Sequence, residues 1–209
     1  MTGKRAATWT PGMADEETIR IYDDKAGDYA KRFVTDAPSG SLSKFMSLLP
    51  AGANVLDWGC GPAASSFHLK AAGFNPDPVD ASPEMVAIAN DRFGLSARVG
   101  TFDDPVPEGR YQGVWANFSL LHAPRHDLPS HLTKLNKALL GAGVFHIGMK
   151  RGKGESRDRF GRFYTYYETT ELAGLLEDAG FEITHQTEGE EAGMAGSVDP
   201  FVLILSRKI

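Results

Sequence analysis

The sequence predicts an α/β protein built on a doubly wound, mostly parallel sheet of seven strands, with helices on both faces and an antiparallel last strand. Three observations lead to this fold class. Short apolar segments alternate with amphipathic ones along most of the chain, which is typical of parallel sheets with helical crossovers. A glycine turn, Gly59-Cys60-Gly61, follows the first apolar segment. The last two apolar segments have no helical pattern between them, so the final strand is expected to pair antiparallel.

The bulk properties favour one compact domain with a small-molecule partner. The chain has 209 residues, of which 42% are hydrophobic, and we expect residues 1–13 to be flexible and residues 14–209 to form a single domain. The net charge of -5 disfavours nucleic-acid binding, because that affinity depends on cations that neutralise phosphates. No apolar run approaches the roughly 18 residues of a membrane span. The lone cysteine, Cys60, excludes an internal disulfide, so we expect a cytoplasmic protein.

The first elements are predicted to be helical. Ile19, Tyr22, Ala26 and Tyr29 recur at intervals of three and four residues after Asp15, which indicates one face of a helix. A second, short helix is expected between Leu42 and Leu49. We interpret residues 14–50 as a helical cap that precedes the first strand.

The central elements alternate strictly. Strands are predicted at residues 54–57, 78–80, 97–99, 114–117 and 144–147. The helices between them include one that starts at Ser82-Pro83-Glu84, where a capping side chain, a proline and an acid favour a helix start. Another begins near Asp127 and is expected to end at Gly141.

The final elements depart from that alternation. A helix is predicted from Thr170 to Gly180, followed by strands at residues 181–187 and 201–206. The glycine- and glutamate-rich segment between these strands, residues 189–199, is expected to be a hairpin connection. This places an antiparallel strand at the end of the order.

The glycine turn marks a nucleotide-type ligand site. In open α/β sheets ligands bind beyond the carboxyl ends of the strands, and glycines let the backbone pass close to them. The pattern Gly59-x-Gly61-x-x-Ala64, with Asp80 further on, also fits the NAD fingerprint. Three features favour S-adenosylmethionine instead. Asp57 precedes the glycines and would repel a pyrophosphate, the tyrosine-containing helix precedes the first strand, and the last strand is antiparallel.

These segments together resemble the class I S-adenosylmethionine-dependent methyltransferases, particularly small bacterial members related to the ubiquinone and tellurite enzymes. The resemblance covers roughly Asp15 to the end and implies a Rossmann-like fold. It rests on residues 56–61, 79–85, 100–103 and 116–122 and on the lead-in helix around residues 22–29. The cofactor-binding residues that it implies are Tyr22, Tyr29, Asp57, Gly59, Cys60, Gly61, Asp80, Ala81, Met85, Thr101, Phe102, Asp103, Asn117 and Phe118. Either Thr101 or Asp103 would contact the adenine.

The sequence says less about the methyl acceptor than about the cofactor. His122 follows the fourth strand and is a candidate base or substrate contact, with a simple loop residue as the alternative. Residues 150–162 carry a net charge of +4 in an acidic chain, so we expect Arg159 and Arg162, with Tyr164 beside them, to receive an anionic acceptor. The alternative is that these arginines only pair with nearby acids.

Other functions remain open at this point. His122, His126 and His131 do not have a convincing metal-ligand spacing, so no metal is expected. An NAD-dependent oxidoreductase, and a module that binds S-adenosylmethionine without catalysis, are the two alternatives to a methyltransferase.

Overall fold

The computed structural model describes residues 14–209, and a seven-stranded sheet forms its centre. The strands of this sheet are β1 (Asn54–Trp58), β2 (Asn75–Asp80), β3 (Arg98–Val99), β4 (Tyr111–Asn117), β5 (Leu139–Lys150), β8 (Phe181–Ala192) and β9 (Val198–Lys208). Their order is β3-β2-β1-β4-β5-β9-β8. Strands β1 to β5 pair in parallel, and β9 is antiparallel to both of its neighbours. The predicted fold class is therefore confirmed.

Helices cover both faces of the sheet. They are α1 (Glu16–Phe33), α2 (Gly40–Ser47), α3 (Ala64–Ala71), α4 (Pro83–Phe93), α5 (Leu128–Ala138) and α6 (Thr169–Asp178). Alternate residues of a strand point to opposite faces. On one face Leu56, Val114 and Phe145 pack with α5 and α6, and on the other Val55 and Trp115 pack with α2 and α3.

The helix starts follow their capping residues. Ser82 accepts a hydrogen bond from the Met85 backbone N–H at 3.1 Å, and Pro83 occupies the first turn of α4. Asp15 caps α1 in the same way, through the Thr18 backbone N–H. The α4 helix ends at Gly94, whose φ of 58° lies in the left-handed region that glycine adopts without strain. These capping residues determine where α1 and α4 begin, near the carboxyl ends of the parallel strands.

Three boundaries differ from the predictions. Helix α5 ends at Ala138, not at Gly141, because Leu139 is already extended and pairs with Tyr111. No strand was predicted in the basic segment, residues 150–162, whereas β6 (Glu155–Arg157) forms there and pairs with β7 (Phe163–Thr165) in a hairpin. Strands β8 and β9 continue to the tip of their hairpin, which leaves only residues 193–197 as the turn.

Two further findings concern the described part of the chain. Between residues 14 and 209 no helix combines the length and the apolar character needed to cross a bilayer. The predicted flexible segment, residues 1–13, lies outside the described residues.

Candidate active site

A large cavity lies at the carboxyl ends of the strands, where the glycine turn predicts it. Its volume is about 780 Å³. All the residues predicted to bind the cofactor line it: Tyr22, Tyr29, Asp57, Gly59, Cys60, Gly61, Asp80, Ala81, Met85, Thr101, Phe102, Asp103, Asn117 and Phe118. Of the predicted catalytic residues, His122, Arg162 and Tyr164 line it and Arg159 does not.

The turn between β1 and α3 requires glycine at its first position. Gly59 has a φ of 79°, and a Cβ atom there would lie 2.3 Å from the Cβ of Ser119. The Ser119 hydroxyl donates a hydrogen bond of 2.6 Å to the carbonyl of Trp58, which holds the two segments together. Ala63 also has a left-handed backbone, with a φ of 59°. The turn is therefore shaped by close approach to Ser119 and leaves the cavity side of the backbone open.

Asp80, at the end of β2, is held in place by backbone donors. Its Oδ2 accepts from the Gly61 N–H at 2.7 Å and its Oδ1 from the Ser82 N–H at 2.9 Å. Burial raises the pKa of this carboxyl group, although these two hydrogen bonds favour its ionised form. Each carboxylate oxygen can accept a second hydrogen bond. The group is thus oriented and still able to accept hydroxyl donors from a ligand.

Asp57, at the end of β1, is a buried carboxyl group without a cation among the described residues. Its side chain is 2% exposed and accepts a hydrogen bond of 2.7 Å from the Ser66 hydroxyl. Burial raises its pKa to about 7, against the opposing effect of Ser66. A cationic ligand group next to Asp57 would favour the ionised form.

The segment after β3 forms the far wall of the cavity. The Phe102 ring packs edge-on against Trp58 with the ring centroids 5.0 Å apart. The Asp104 carboxylate accepts from the Thr101 backbone N–H at 2.7 Å. Asp103 lines the cavity, and its carboxylate has no hydrogen-bond partner among residues 14–209. Of the two predicted adenine contacts, Asp103 has the free acceptor atoms.

Helix α1 covers the cavity with two tyrosines. The rings of Tyr22 and Tyr29 meet edge-on with centroids 5.7 Å apart, and a Cβ at Gly61 would lie 3.8 Å from the Tyr29 ring. Asp23 on the same helix accepts a hydrogen bond of 2.5 Å from the Ser82 hydroxyl at the start of α4. The predicted cap segment therefore contacts both the glycine turn and the Asp80 region.

A chain of hydrogen bonds joins Tyr22 to the residues that follow β4 and to the β6–β7 hairpin. The Nδ1 atom of His122 lies 2.6 Å from the carbonyl of Phe163, which can only accept, so Nδ1 carries a proton. Burial lowers the pKa of His122 to about 4, so the ring is neutral and Nε2 is an acceptor. The Tyr22 hydroxyl lies 2.8 Å from this Nε2 and donates to it. It also accepts from Nη1 of Arg162 at 3.0 Å.

Of the two arginines that were expected to receive the acceptor, the structure places only Arg162 at the cavity. Arg162 is 2% exposed, and Asp158 accepts from its Nε at 3.0 Å and from its Nη2 at 2.7 Å. Arg159 is exposed, rests over the Phe160 ring and lies outside the cavity. Both residues belong to the turn between β6 and β7, where the Phe160 ring contacts both guanidinium groups.

Three of the six cations of the basic segment have acidic partners from distant parts of the chain. Arg157 pairs with Asp15, and Arg151 pairs with Glu188. Lys150 lies 2.5 Å from Asp199 and 4.2 Å from the centroid of the Tyr164 ring. Tyr164 itself is 3% exposed. The local charge of +4 is thus largely compensated in the folded protein.

Sequence reasoning missed the contribution of the β8–β9 hairpin. Glu191, Met194, Asp199 and Phe201 line the cavity from its tip, and Phe201 meets Phe118 edge-on. The available signal was topological, because an antiparallel β9 paired to β5 brings its hairpin to the ligand end of the sheet. Among residues 14–209 no three His, Cys, Asp or Glu side chains cluster in a way that could hold a metal ion.

Comparisons with known proteins place this chain in an enzyme family. A family model described as a methyltransferase domain matches residues 30–186, which is most of the chain. A magnesium-protoporphyrin O-methyltransferase from Rhodobacter capsulatus is 33% identical over 114 residues, which are 50% of this chain and 50% of that enzyme. The chain thus matches about half the length of this curated relative.

Two solved structures share the fold. A SAM-dependent methyltransferase from Methanosarcina mazei has a TM-score of 0.70 and 16% identity, over 79% of this chain and 97% of that one. A 1,6-didemethyltoxoflavin-N1-methyltransferase from Burkholderia thailandensis, solved with bound 1,6-didemethyltoxoflavin and S-adenosylhomocysteine, has a TM-score of 0.68 and 21% identity, over 99% of this chain and 98% of that one.

Proposed function

Because this chain belongs to the family of S-adenosylmethionine-dependent methyltransferases, we propose that it transfers the methyl group of S-adenosylmethionine to a small-molecule acceptor. The observation that carries the proposal is the convergence of Asp57, Asp80 and the glycine turn on one cavity. An NAD-dependent reaction is set aside, since the sixth position of the sheet holds the antiparallel β9 where dinucleotide folds continue in parallel.

The donor groups of the cavity suit this cofactor. Asp80 would accept from the two ribose hydroxyls, and Asp57, buried without a cation, would accept from the ammonium group. Asp103, with free acceptor atoms, would contact the adenine beside Phe102. Tyr22 and Tyr29 would close the site from α1.

The protein's contribution to catalysis is positioning and the exclusion of water. Bound S-adenosylmethionine supplies a methyl group that is already activated by its sulfonium, so orientation in a dry pocket provides much of the rate enhancement. His122 could take a proton only at Nε2, which the Tyr22 hydroxyl occupies. Its pKa of about 4 makes it a weak base. This arrangement suits an acceptor that is ionised before it binds.

We propose further that the acceptor carries an anionic group and that Lys150 receives it. Arg162 has little spare capacity, because Asp158 and Tyr22 occupy three of its nitrogens. The Lys150 ammonium has three donor hydrogens, and Asp199 is its hydrogen-bond partner among the described residues. Lys150 lines the cavity next to Tyr164 and Phe201. The acceptor would therefore be a compact, partly aromatic anion rather than a cation.

Cofactor binding is tested at Asp80. We expect Asp80→Asn to weaken binding of S-adenosylhomocysteine, measured by calorimetry, by at least about tenfold, since charge-assisted hydrogen bonds to the ribose are lost. Asp91→Asn, on the exposed side of α4, is the matched control and should bind like the wild type. A wild-type protein that binds no S-adenosylhomocysteine would refute the proposed function, and tight binding with no turnover of any acceptor would favour a non-catalytic module.

Acceptor charge is tested with a labelled-methyl screen of paired compounds that differ only in carrying a carboxylate or a carboxamide. We expect the carboxylates to be preferred, and Lys150→Met to remove the preference while affinity for S-adenosylhomocysteine is kept. Lys153→Met, in the same segment but outside the cavity, should retain it. A preference for carboxamides or for cationic acceptors would contradict the assignment to Lys150.

A further inference from the structure

His146 is a buried polar residue in the middle of β5, and its packing alone does not explain why a histidine occupies this position. Its side chain is fully buried, and its ring stacks on Trp115 with centroids 3.7 Å apart and an angle of 13° between the planes. Nδ1 has no hydrogen-bond partner among the described residues. Burying a polar atom without a partner destabilises a fold, and an apolar ring would stack equally well. The presence of a histidine at this position therefore has to be explained by the one hydrogen bond that its ring makes to the described residues.

That contact is with Asn117, which lines the cavity. The Nε2 atom of His146 lies 2.9 Å from Oδ1 of Asn117. Burial lowers the pKa of His146 to about 3, so one of its two nitrogens carries a hydrogen and the other a lone pair. A buried N–H without a partner is rarer in proteins than an acceptor without one. The hydrogen is therefore on Nε2, which donates to the Asn117 oxygen.

The backbone beneath Asn117 leaves room for the amide in this position. Asn117 and Gly148 are paired in register across β4 and β5, and a Cβ at Gly148 would lie 2.6 Å from Oδ1 of Asn117. The amide thus rests on a bare glycine, with its oxygen held by His146. Its nitrogen has no partner among residues 14–209 and belongs to a side chain that faces the cavity. Two donor hydrogens are consequently presented to whatever binds there.

The position of these donors relative to Asp57 identifies the group that they would meet. Asp57 is in register with Trp115 in the parallel pair of β1 and β4, and Asn117 follows two residues later on the same face. The donor amide of Asn117 and the acceptor carboxylate of Asp57 therefore lie on the same face at the ends of neighbouring strands, two residues apart in register. An α-amino acid carries an ammonium and a carboxylate on one carbon atom, and such a pair of charges matches this pair of side chains.

We propose that His146 is a positioning residue that fixes the Asn117 amide so that its NH2 group binds the α-carboxylate of the cofactor's amino-acid end. This inference rests on the proposed function and assigns a role to a residue that does not itself line the main cavity. Without His146 the amide can rotate and present its oxygen to the carboxylate, which would repel it.

The test compares S-adenosylhomocysteine with its decarboxylated analogue, which keeps the ammonium group and lacks the carboxylate. Calorimetry is carried out on the wild type, His146→Phe, Asn117→Leu and the double variant. Phenylalanine keeps the stack on Trp115 and removes the donor, so the fold should persist, and a thermal melt checks this. We expect each single variant to bind S-adenosylhomocysteine about tenfold more weakly than the wild type does. Each single variant should bind the decarboxylated analogue with the affinity of the wild type. The double variant should bind S-adenosylhomocysteine no more weakly than either single variant does.

Three outcomes would overturn the role of His146: unchanged affinity of His146→Phe for S-adenosylhomocysteine, an equal loss for both ligands, or losses that add in the double variant. A second readout is the nitrogen-15 spectrum of the His146 ring, which should show the Nε2–H tautomer in the wild type. The Nδ1–H tautomer there would also refute the proposal. If the wild type binds neither ligand, the proposed function itself fails, and the two failures are thus distinguishable.

Discussion

At the scale of single residues, the site concentrates buried acidic groups that the protein alone does not neutralise. Asp57 and Asp80 lie at the ends of neighbouring strands, and burial raises the pKa of both carboxyl groups. Their hydrogen-bond donors are a serine hydroxyl and two backbone N–H groups, and no cation contacts either carboxylate among the described residues. The unliganded protein therefore carries an electrostatic destabilisation that a cationic ligand with hydroxyl donors can relieve.

The first prediction follows from the pKa of Asp57. An unfolded aspartate has a pKa of about 3.9, whereas burial raises that of Asp57 to about 7. The native state binds more protons between these values, so the free energy of unfolding falls as the pH rises through that window. The loss is on the order of 4 kcal/mol at and above pH 7. Asp57→Asn removes the titration and should unfold at higher urea than the wild type at pH 8, but not at pH 4.

The comparison of the two proteins isolates Asp57 from other titrating groups. The amide that Asp57→Asn introduces can still accept a hydrogen bond from Ser66, so the variant should fold. Equal urea midpoints of the two proteins at pH 8 would contradict the buried, ionisable state of Asp57. The same variant should bind S-adenosylhomocysteine more weakly at pH 8, because the ammonium loses its carboxylate.

The residues that sequence could identify are those with local requirements. Gly59 can be identified from the sequence because a strand-turn-helix junction needs a positive φ and has no room for a Cβ. Asp80 can be identified because it ends a strand before a capped helix. Lys150 and His146 could not be assigned roles in this way. Their partners, Asp199 and Asn117, come from other strands, so their roles depend on register and strand order.

At the scale of elements, α1 is held over the cavity by contacts with two separate parts of the fold. Its start is tied to the β6–β7 hairpin, where Arg157 donates to both carboxylate oxygens of Asp15 at 2.8 and 2.9 Å and the Phe163 N–H donates to Thr18. Its middle is tied to α4 through Asp23. Closure of the cavity by α1 therefore depends on polar contacts as well as on packing.

The second prediction concerns the opening of α1. Arg157→Ala removes a bidentate ion pair that is worth about 1 kcal/mol at this partly exposed position. We expect amide hydrogen exchange in the first turns of α1, measured by mass spectrometry, to become roughly fivefold faster. Arg159→Ala is the matched control from the same hairpin, because Arg159 rests on Phe160 and has no ion pair with α1 among the described residues. Equal acceleration in both variants would show that the hairpin as a whole, and not the Asp15 pair, holds α1.

Helices and strands were predictable from the sequence where the spacing of apolar residues agrees with the capping, proline and glycine residues at their ends. Helix α4 has a capping serine, a proline and a terminal glycine, and its predicted start is confirmed. At the α5–β5 junction the leucine spacing continues past the end of the helix, because Leu139 is buried as a strand residue instead. The β6–β7 hairpin has few apolar residues, so no strand period revealed it, and contacts with α1 stabilise it.

At the scale of the whole molecule, cations and anions are distributed unevenly around the cavity. Arg162 and Lys150 each pair with an acid, whereas Asp57, Asp80 and Asp103 face the cavity without an ion-pair partner among the described residues. The end of the cavity that these aspartates line is thus acidic, and the end that Lys150 and Arg162 line is close to neutral. This asymmetry fits a cationic cofactor and predicts that its binding is linked to the release of a proton.

The third prediction is that ligand binding displaces a proton from Asp57. At pH 6, below its pKa of about 7, the carboxyl group of unliganded Asp57 is mostly protonated. An ammonium placed beside it favours the ionised form, so binding S-adenosylhomocysteine should release close to one proton at pH 6 and almost none at pH 8. Affinity should therefore rise by up to about tenfold per pH unit between pH 5 and 7 and then level off. Calorimetry at each pH in two buffers of different ionisation enthalpy measures the released proton.

Two controls decide whether that proton comes from Asp57. Adenosine keeps the ribose and adenine but lacks the ammonium, so it should bind without releasing a proton at pH 6. Asp57→Asn has no carboxyl group to titrate, so its affinity for S-adenosylhomocysteine should be low and nearly independent of pH in this range. Proton release that persists in this variant would instead assign the titration to Asp80, whose pKa is also raised by burial, and would move the ammonium site from the end of β1 to the end of β2.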